Sequence, residues 1–268
     1  MDRIRAGRRN SYCLAGYNRG LLAGRLNLDY PCAYPHSVRK MNKLLSSVFA
    51  IIVASVTTTS FAQELKGNPD AGKAKAAQCI GCHGIKGYQA SFPEIYRVPM
   101  ISGQGAKYIS NALLAYQKGE RKHPTMGAVS YPLTEQDMAD LGAYYSLHGK
   151  VEGATLPDKA SVEPSAAVAA LLTKGACISC HGANFAKPID PSYPKIAGQH
   201  ADYLTVALKA YKTENNAKVG RANGVMGGIA KQYSNAEMKE MAKYIASLDG
   251  DLKIVPQSKF RISAAGAK

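Results

Sequence analysis

Two short motifs constrain this chain more than any other feature of its sequence. Each has two cysteines separated by two residues and followed at once by a histidine: Cys79-Ile80-Gly81-Cys82-His83 and Cys177-Ile178-Ser179-Cys180-His181. On a helical turn, two thiols at this spacing lie close together and can form thioethers with the two vinyl groups of one haem, and the histidine then lies under the iron. The sequence therefore predicts two covalently bound haems c. The predicted attachment residues are Cys79, Cys82, Cys177 and Cys180, and the first iron ligands are His83 and His181.

Three other chemistries use paired cysteines. A redox dithiol needs a thioredoxin-like βαβ context, which the sequence pattern does not show. A zinc site made from both pairs would span the 94 residues between Cys82 and Cys177, against about 15–20 in a typical zinc ribbon. Two disulfides fit an exported chain, but they leave the histidine after each pair unexplained. The haem interpretation uses all three residues of each motif.

An internal repeat surrounds the motifs and shows which other residues matter. The second motif follows the first by 98 positions, and later segments match at offsets of 95 and 100. We therefore interpret the chain as two copies of a unit of about 85 residues, with small loop differences between them. The matching pairs include Pro99/Pro194, Gly103/Gly198, Gln104/Gln199, Tyr108/Tyr203, Tyr116/Tyr211, Arg121/Arg221, Met126/Met226 and Met138/Met238.

The repeat contains two candidate methionines in each half. Met138 and Met238 are predicted near the start of a helix that begins with a capping box, where packing explains them. Met126 and Met226 precede these caps by eight residues, in glycine-containing segments that we expect to be loops. A loop methionine has no helix face to pack on and can bring its thioether to the iron. The second axial ligands are therefore predicted to be Met126 and Met226.

Two further repeated positions suit the surroundings of a haem. The backbone at Pro99 and Pro194 can present a carbonyl oxygen to the remaining N–H of the proximal imidazole; a simple turn is the alternative. Arg121 and Arg221 can bind haem propionates, because a guanidinium matches a carboxylate; an exposed arginine is the alternative. Four candidates have no equivalent in the other half. Met100 is assigned to core or loop packing, and three histidines are assigned to the surface or to local hydrogen bonding: His123, His148 and His200.

The N-terminal region carries an export signal. Lys43, an apolar stretch over 44–56 and the small residues around Ala62 form a secretory signal peptide, with an uncleaved anchor as the alternative. Residues 1–40 are interpreted as a non-structural extension, or as untranslated if the protein starts at Met41. The predicted organisation is an extension (1–40), a signal peptide (41–62), a first haem domain (63–149), a linker (150–164), a second haem domain (165–250) and a basic C-terminal tail (251–268).

The patterning favours helices packed around the cofactors. No alternating strand pattern is found, and helical periodicity predicts an all-α fold, with helices over about 105–118, 135–147, 200–213 and 235–248. Each unit alone would bury little apolar surface, so we expect the haem to complete its core and each domain to be largely unfolded without it.

The charge of the chain bears on its partners. The formal net charge is +15, and removing residues 1–62 takes away nine basic and two acidic residues and leaves +8. A basic rim would steer docking to acidic patches on a redox partner in a salt-sensitive way. Nucleic acid is a poor explanation of this charge in an exported haem protein. No repeated catalytic set or phosphate loop is found, so no catalytic residue is assigned.

The motifs, each followed by a Pro-x-Ile-(Ser/Ala)-Gly-Gln segment, a tyrosine-containing helix, an arginine, a methionine and a capped helix, resemble a tandem class I cytochrome c. The most similar family is the di-haem cytochrome c4 family, and the resemblance covers about residues 65–250. It implies two tandem class I cytochrome c domains, each wrapped around one covalently bound haem, in the periplasm and often at the inner membrane face.

The resemblance also implies a role. It points to an electron shuttle between a quinol-oxidising bc1-type complex or a dehydrogenase and a terminal oxidase, often of the cbb3 type. Two alternatives stay open. One is a cytochrome subunit of a periplasmic dehydrogenase, and the other is a di-haem peroxidase, which would need one haem with a distal site that can open.

Overall fold

The computed structural model describes residues 65–256, so the predicted extension, the signal peptide and the end of the tail lie outside the described residues. The described residues belong to one compact unit, Ala62–Lys268. The helices within them are α1 (Pro69–Lys75), α2 (Ala77–His83), α3 (Ala106–Gln117), α4 (Pro124–Ser130), α5 (Glu135–Leu147), α6 (Ala166–Lys174), α7 (Ile178–His181), α8 (Ala201–Lys212), α9 (Gly224–Ala230) and α10 (Asn235–Ala246).

Four strands of two residues each accompany the helices. They are β1 (Gln89–Ala90), β2 (Tyr96–Arg97), β3 (Arg121–Lys122) and β4 (Gly220–Arg221). β1 and β2 form an antiparallel hairpin, and β3 pairs antiparallel with β4, which joins the two halves of the chain. The sequence shows no alternating strand pattern at these places, because two residues are too few to carry one.

Each half is built on its last helix. In the first half α1 and α3 pack against α5, and in the second half α6 and α8 pack against α10. Gly72 of α1 lies so close to α5 that a Cβ there would lie 2.1 Å from the carbonyl oxygen of Asp140. A glycine is therefore required for the two helices to approach this closely. The helical architecture agrees with the predicted all-α fold.

The closing helices begin where local sequence predicts. Thr134 and Ser234 each accept a hydrogen bond from the third helical residue, whose carboxylate in turn accepts from the cap backbone. α5 has the predicted bounds, whereas α10 ends two residues early, at Ala246. Met138 and Met238 are 1% and 0% exposed. Their assignment to the core is confirmed.

The segments around the second half are packed rather than free. Residues 150–164 contain no helix or strand, but Leu156 contacts the core of the second half and Pro157 O accepts a hydrogen bond from Asn184. Beyond α10 the chain returns to the first half, where Lys253 N donates to Ser102 O at 3.0 Å. The first residues of the predicted tail are therefore part of the fold. Among the described helices, none has the length and apolarity needed to cross a membrane.

Candidate functional site

A continuous cavity of about 590 Å³ extends through both halves. Apolar side chains from the helices of each half form much of its wall, among them Leu113 of α3 and Leu204 of α8. All twelve predicted site residues line it: Cys79, Cys82, His83, Pro99, Arg121 and Met126 in the first half, and Cys177, Cys180, His181, Pro194, Arg221 and Met226 in the second.

Short helices present the two motifs to the cavity. α2 contains the whole first motif, and α7 begins one residue after Cys177 and ends at His181. The two cysteines of each motif therefore lie about one helical turn apart, a spacing at which both thiols could form thioethers with the vinyl groups of one haem. No disulfide joins any of the four motif cysteines in the part of the chain that the structure describes.

One backbone carbonyl fixes each histidine ring. His83 Nδ1 lies 2.8 Å from Pro99 O, and His181 Nδ1 lies 3.1 Å from Pro194 O. Because a carbonyl oxygen only accepts, Nδ1 carries the proton and Nε2 keeps its lone pair. Burial lowers the pKa of both histidines and so favours the neutral imidazole, the form that binds metals. Each half therefore holds one imidazole nitrogen free to bind iron.

Met126 and Met226 lie in the short helices α4 and α9 and not in the loops that we expected. The cause is a cap at the start of each helix. Met126 N donates to the ring of His123 at 3.3 Å, and Met226 N donates to the side chain of Asn223 at 2.9 Å. The assignment of His123 to local hydrogen bonding is confirmed. Helical backbone leaves both methionine side chains on the cavity wall.

Arg121 and Arg221 face each other across the β3–β4 pair between the halves. Both donate to the Tyr203 hydroxyl, at 2.8 and 3.1 Å, and Arg121 also donates to that of Tyr108. Neither forms an ion pair with a described carboxylate, and Arg121 Nε is buried without a partner among the described residues. Two cations in a cavity wall need anions nearby, and the carboxylates of a haem fit that need.

Sequence reasoning missed the polar contacts that join the halves. The Tyr203 hydroxyl of the second half accepts a hydrogen bond from Arg121 of the first, and Asp202 accepts two hydrogen bonds from Arg97. Gln104 and Gln199 each bond to backbone in the opposite half. The available signal was the recurrence of the glutamine and the tyrosine in both copies of the repeat.

The chain is similar to characterised proteins along both halves. The sequence profile of the family described as Cytochrome c matches residues 69–146 and 165–249. Cytochrome c4 from Thiocapsa roseopersicina is 34% identical over 186 residues, which cover 68% of this chain and 93% of that protein. The thiosulfate dehydrogenase electron acceptor of Thiomonas intermedia (strain K12) is 28% identical over 181 residues, 65% of this chain and 79% of that protein.

Among solved structures, reduced recombinant cytochrome c4 from Pseudomonas stutzeri has 27% sequence identity and a TM-score of 0.49, covering 68% of this chain and 100% of that chain. With two matched cytochrome c regions and one C-x-x-C-H motif in each, the fold is two tandem cytochrome c domains, and each binds one haem c covalently. The chain therefore belongs to the cytochrome c family and, within it, to the di-haem electron-transfer cytochromes c4.

Proposed function

We propose that the protein is an exported periplasmic shuttle, which takes electrons from a quinol-oxidising bc1-type complex or a dehydrogenase and delivers them to a terminal oxidase such as a cbb3-type enzyme. One observation carries the proposal. Each half contributes a carbonyl-bonded histidine and a capped methionine to the wall of one cavity.

In this proposal His83 and Met126 would bind the iron of the first haem, and His181 and Met226 would bind that of the second. Haem supplies an iron that takes up and releases one electron. With an imidazole and a thioether bound, the iron would have no free position for a substrate, and the neutral thioether would raise its reduction potential by favouring Fe(II). This combination suits electron transfer between proteins with little rearrangement.

The remaining site residues are proposed to orient the histidine rings and to neutralise the haem carboxylates. The carbonyls of Pro99 and Pro194 hold the histidine rings in one tautomer. Arg121 and Arg221 are proposed to bind the haem carboxylates at the boundary between the halves. Two sites on one chain can then carry two electrons or pass one electron through the molecule.

The proposed electron donor is a bc1-type complex or a dehydrogenase. The name of the Thiomonas intermedia relative supports a dehydrogenase as the donor. It also favours a second candidate, in which this chain is the cytochrome subunit of such a dehydrogenase. Stable co-purification with a catalytic partner supports the subunit, whereas a freely soluble or peripherally membrane-associated chain supports the shuttle.

The ligand assignment is tested by the visible spectrum of the oxidised protein. We expect the weak long-wavelength band of iron–thioether ligation to lose about half its intensity in Met126→Ala and in Met226→Ala, since each thioether binds one of two irons. Met138→Ala and Met238→Ala are the matched controls and keep the full band. A band that survives both first substitutions rejects the assignment, and peroxide turnover by the reduced protein would favour a peroxidase.

Export is tested separately. Mass spectrometry of the protein from the periplasmic fraction is expected to show a mature chain beginning at Gln63. A chain that keeps the apolar segment before Gln63 would show an uncleaved anchor and contradict this part of the proposal.

A further inference from the structure

Two buried glutamines form a reciprocal clasp between the halves. Gln199 Oε1 accepts from Met100 N at 3.0 Å, and its Nε2 donates to Met100 O at 2.9 Å. Gln104 makes the same two hydrogen bonds with the backbone of Lys195, both at 2.9 Å. Gln104 and Gln199 are 5% and 3% exposed, so water does not compete for these bonds.

The backbone that each glutamine binds is the backbone that holds a histidine. The carbonyl of Pro99 and the N–H of Met100 belong to a single planar peptide group. This group accepts from His83 Nδ1 at its oxygen and donates to Gln199 Oε1 at its nitrogen. A continuous chain of hydrogen bonds therefore runs from the histidine of the first half to a glutamine of the second.

The second half repeats the arrangement in the opposite direction. The peptide group between Pro194 and Lys195 accepts from His181 Nδ1 and donates to Gln104 Oε1. The two chains of hydrogen bonds are thus related by the internal repeat, and each runs from one half of the protein to the other.

Local backbone holds each glutamine in place for this contact. Gly103 and Gly198, which precede the glutamines, have φ values of +86° and +73°, a conformation that favours glycine. Each Oε1 also accepts from the next backbone N–H, that of Gly105 or His200, at 2.9 and 3.0 Å. The acceptor oxygen is therefore fixed before any partner binds, which limits the entropy that the interdomain bonds cost.

We propose that Gln199 is a positioning residue for the proximal histidine of the first haem and Gln104 for that of the second, so that each domain tunes the haem of the other. The inference rests on the proposed ligation by His83 and His181. Hydrogen bonds in a chain polarise one another, so an acceptor on the peptide N–H makes the carbonyl a stronger acceptor for Nδ1–H. The imidazole becomes a more basic ligand, which favours Fe(III) and lowers the reduction potential.

The test uses the complete di-haem protein and two single variants of it, Gln199→Met and Gln104→Met. Methionine has nearly the length of glutamine but offers neither the acceptor oxygen nor the donor. Potentiometric titration is followed by NMR of the haem methyl groups, assigned separately to the two domains. Gln199→Met is expected to raise the potential of the haem on Cys79 and Cys82 and to leave the other unchanged, and Gln104→Met is expected to do the reverse.

Exchange of the histidine proton gives a second readout. In the reduced protein, the Nδ1 proton of His83 is expected to exchange faster with solvent in Gln199→Met, and that of His181 in Gln104→Met, because each loses the bond that polarises its acceptor. Shifts confined to the haem of the substituted domain, equal shifts of both haems or no shift would each overturn the proposal.

Two controls separate the clasp from general effects. Gln136→Met makes the same chemical change within the first half, where Gln136 bonds to Lys66 O and Asp140. Glu94→Gln removes an ion pair with Lys209, which joins the halves without touching either peptide group. In neither control is the potential of only the opposite domain's haem expected to shift. Such a shift in Glu94→Gln would contradict the proposed action through the glutamine hydrogen bonds.

A further variant keeps the test decisive if Gln199→Met folds poorly. Gln199→Glu retains an oxygen that can accept from Met100 N, so the potential of the first haem is expected to stay at or below its original value. A rise would show that packing, and not the acceptor, sets the potential. Absence of the thioether band from the unaltered protein would instead reject the proposed function. Failure of the proposed function and failure of this inference are therefore distinguishable.

Discussion

Met226 and Met238 lie in the same half, yet their surroundings differ at the scale of single residues. Met238 is 0% exposed and belongs to the core cluster of the second half. Met226 lines the haem cavity, and its backbone N–H is held by the cap residue Asn223. The side chain of Met238 is surrounded by protein on all sides, whereas that of Met226 faces the cavity.

This difference predicts opposite results for two alanine substitutions. Met238→Ala is expected to reduce the free energy of unfolding by about 2–5 kcal/mol, because it leaves a void in a packed core. Its thioether absorption band is expected to remain complete. Met226→Ala is expected to lose half of that band. Urea unfolding followed by circular dichroism measures the first effect, and an unchanged midpoint for Met238→Ala would contradict the packing role.

At the scale of elements, charged side chains connect α1 to α5. Lys75 Nζ lies 2.8 Å from Asp137 Oδ1 and 2.6 Å from Asp140 Oδ2. The hydrogen bond from Lys75, followed by those from Thr134, lowers the pKa of Asp137 to about 2 from an ordinary value of 3.8. The link between the two helices therefore depends on the charge of Asp137.

The lowered pKa makes this link sensitive to acid. Its stabilisation is complete above about pH 4, where the unfolded carboxyl is also ionised, and disappears as the pH falls toward 2. Lys75→Met removes the largest cause of the shift, so acid unfolding is expected to begin at a higher pH. Circular dichroism against pH measures this, with Lys187→Met as control because its ion pair with Asp158 is exposed. Equal acid midpoints for Lys75→Met and the unaltered protein would contradict it.

At the scale of the whole molecule, two small cores meet at one cavity. Each core cluster is built mainly from side chains of its own half, and residues of both halves line the space between them. We expect bound haems to complete these cores, because they would fill that space with apolar surface. The β3–β4 pair and the glutamine clasp join the two halves.

Removal of one haem is therefore expected to affect the fold as well as the colour. Replacing both Cys177 and Cys180 by alanine is expected to halve covalent haem staining after denaturing electrophoresis and to reduce the helical signal of the protein. The physical reason is that the second half loses the group that completes its core. A variant with half the haem and the full helical signal would show that the protein core suffices.

Local sequence determined most of the elements and the chemistry of the attachment sites. The C-x-x-C-H motifs define the covalent cofactor because thiol spacing and the adjacent imidazole act within one helical turn. The capping boxes at Thr134 and Ser234 were predictable for the same reason, since their bonds span three residues. The helices around Met126 and Met226 were not predicted, because each has only seven residues and contains glycine, which has a low helix propensity.

Only the tertiary structure decided how the two copies of the repeat work together. The hydrogen bond between Gln199 and Met100 spans 99 positions of the sequence, and the one between Arg121 and Tyr203 spans 82. Sequence periodicity describes one helix or one strand at a time, and it carries no information on which side chain meets which backbone across an interface. The repeat identified the residues that both halves share, and the packing of one half against the other decided what those residues contact.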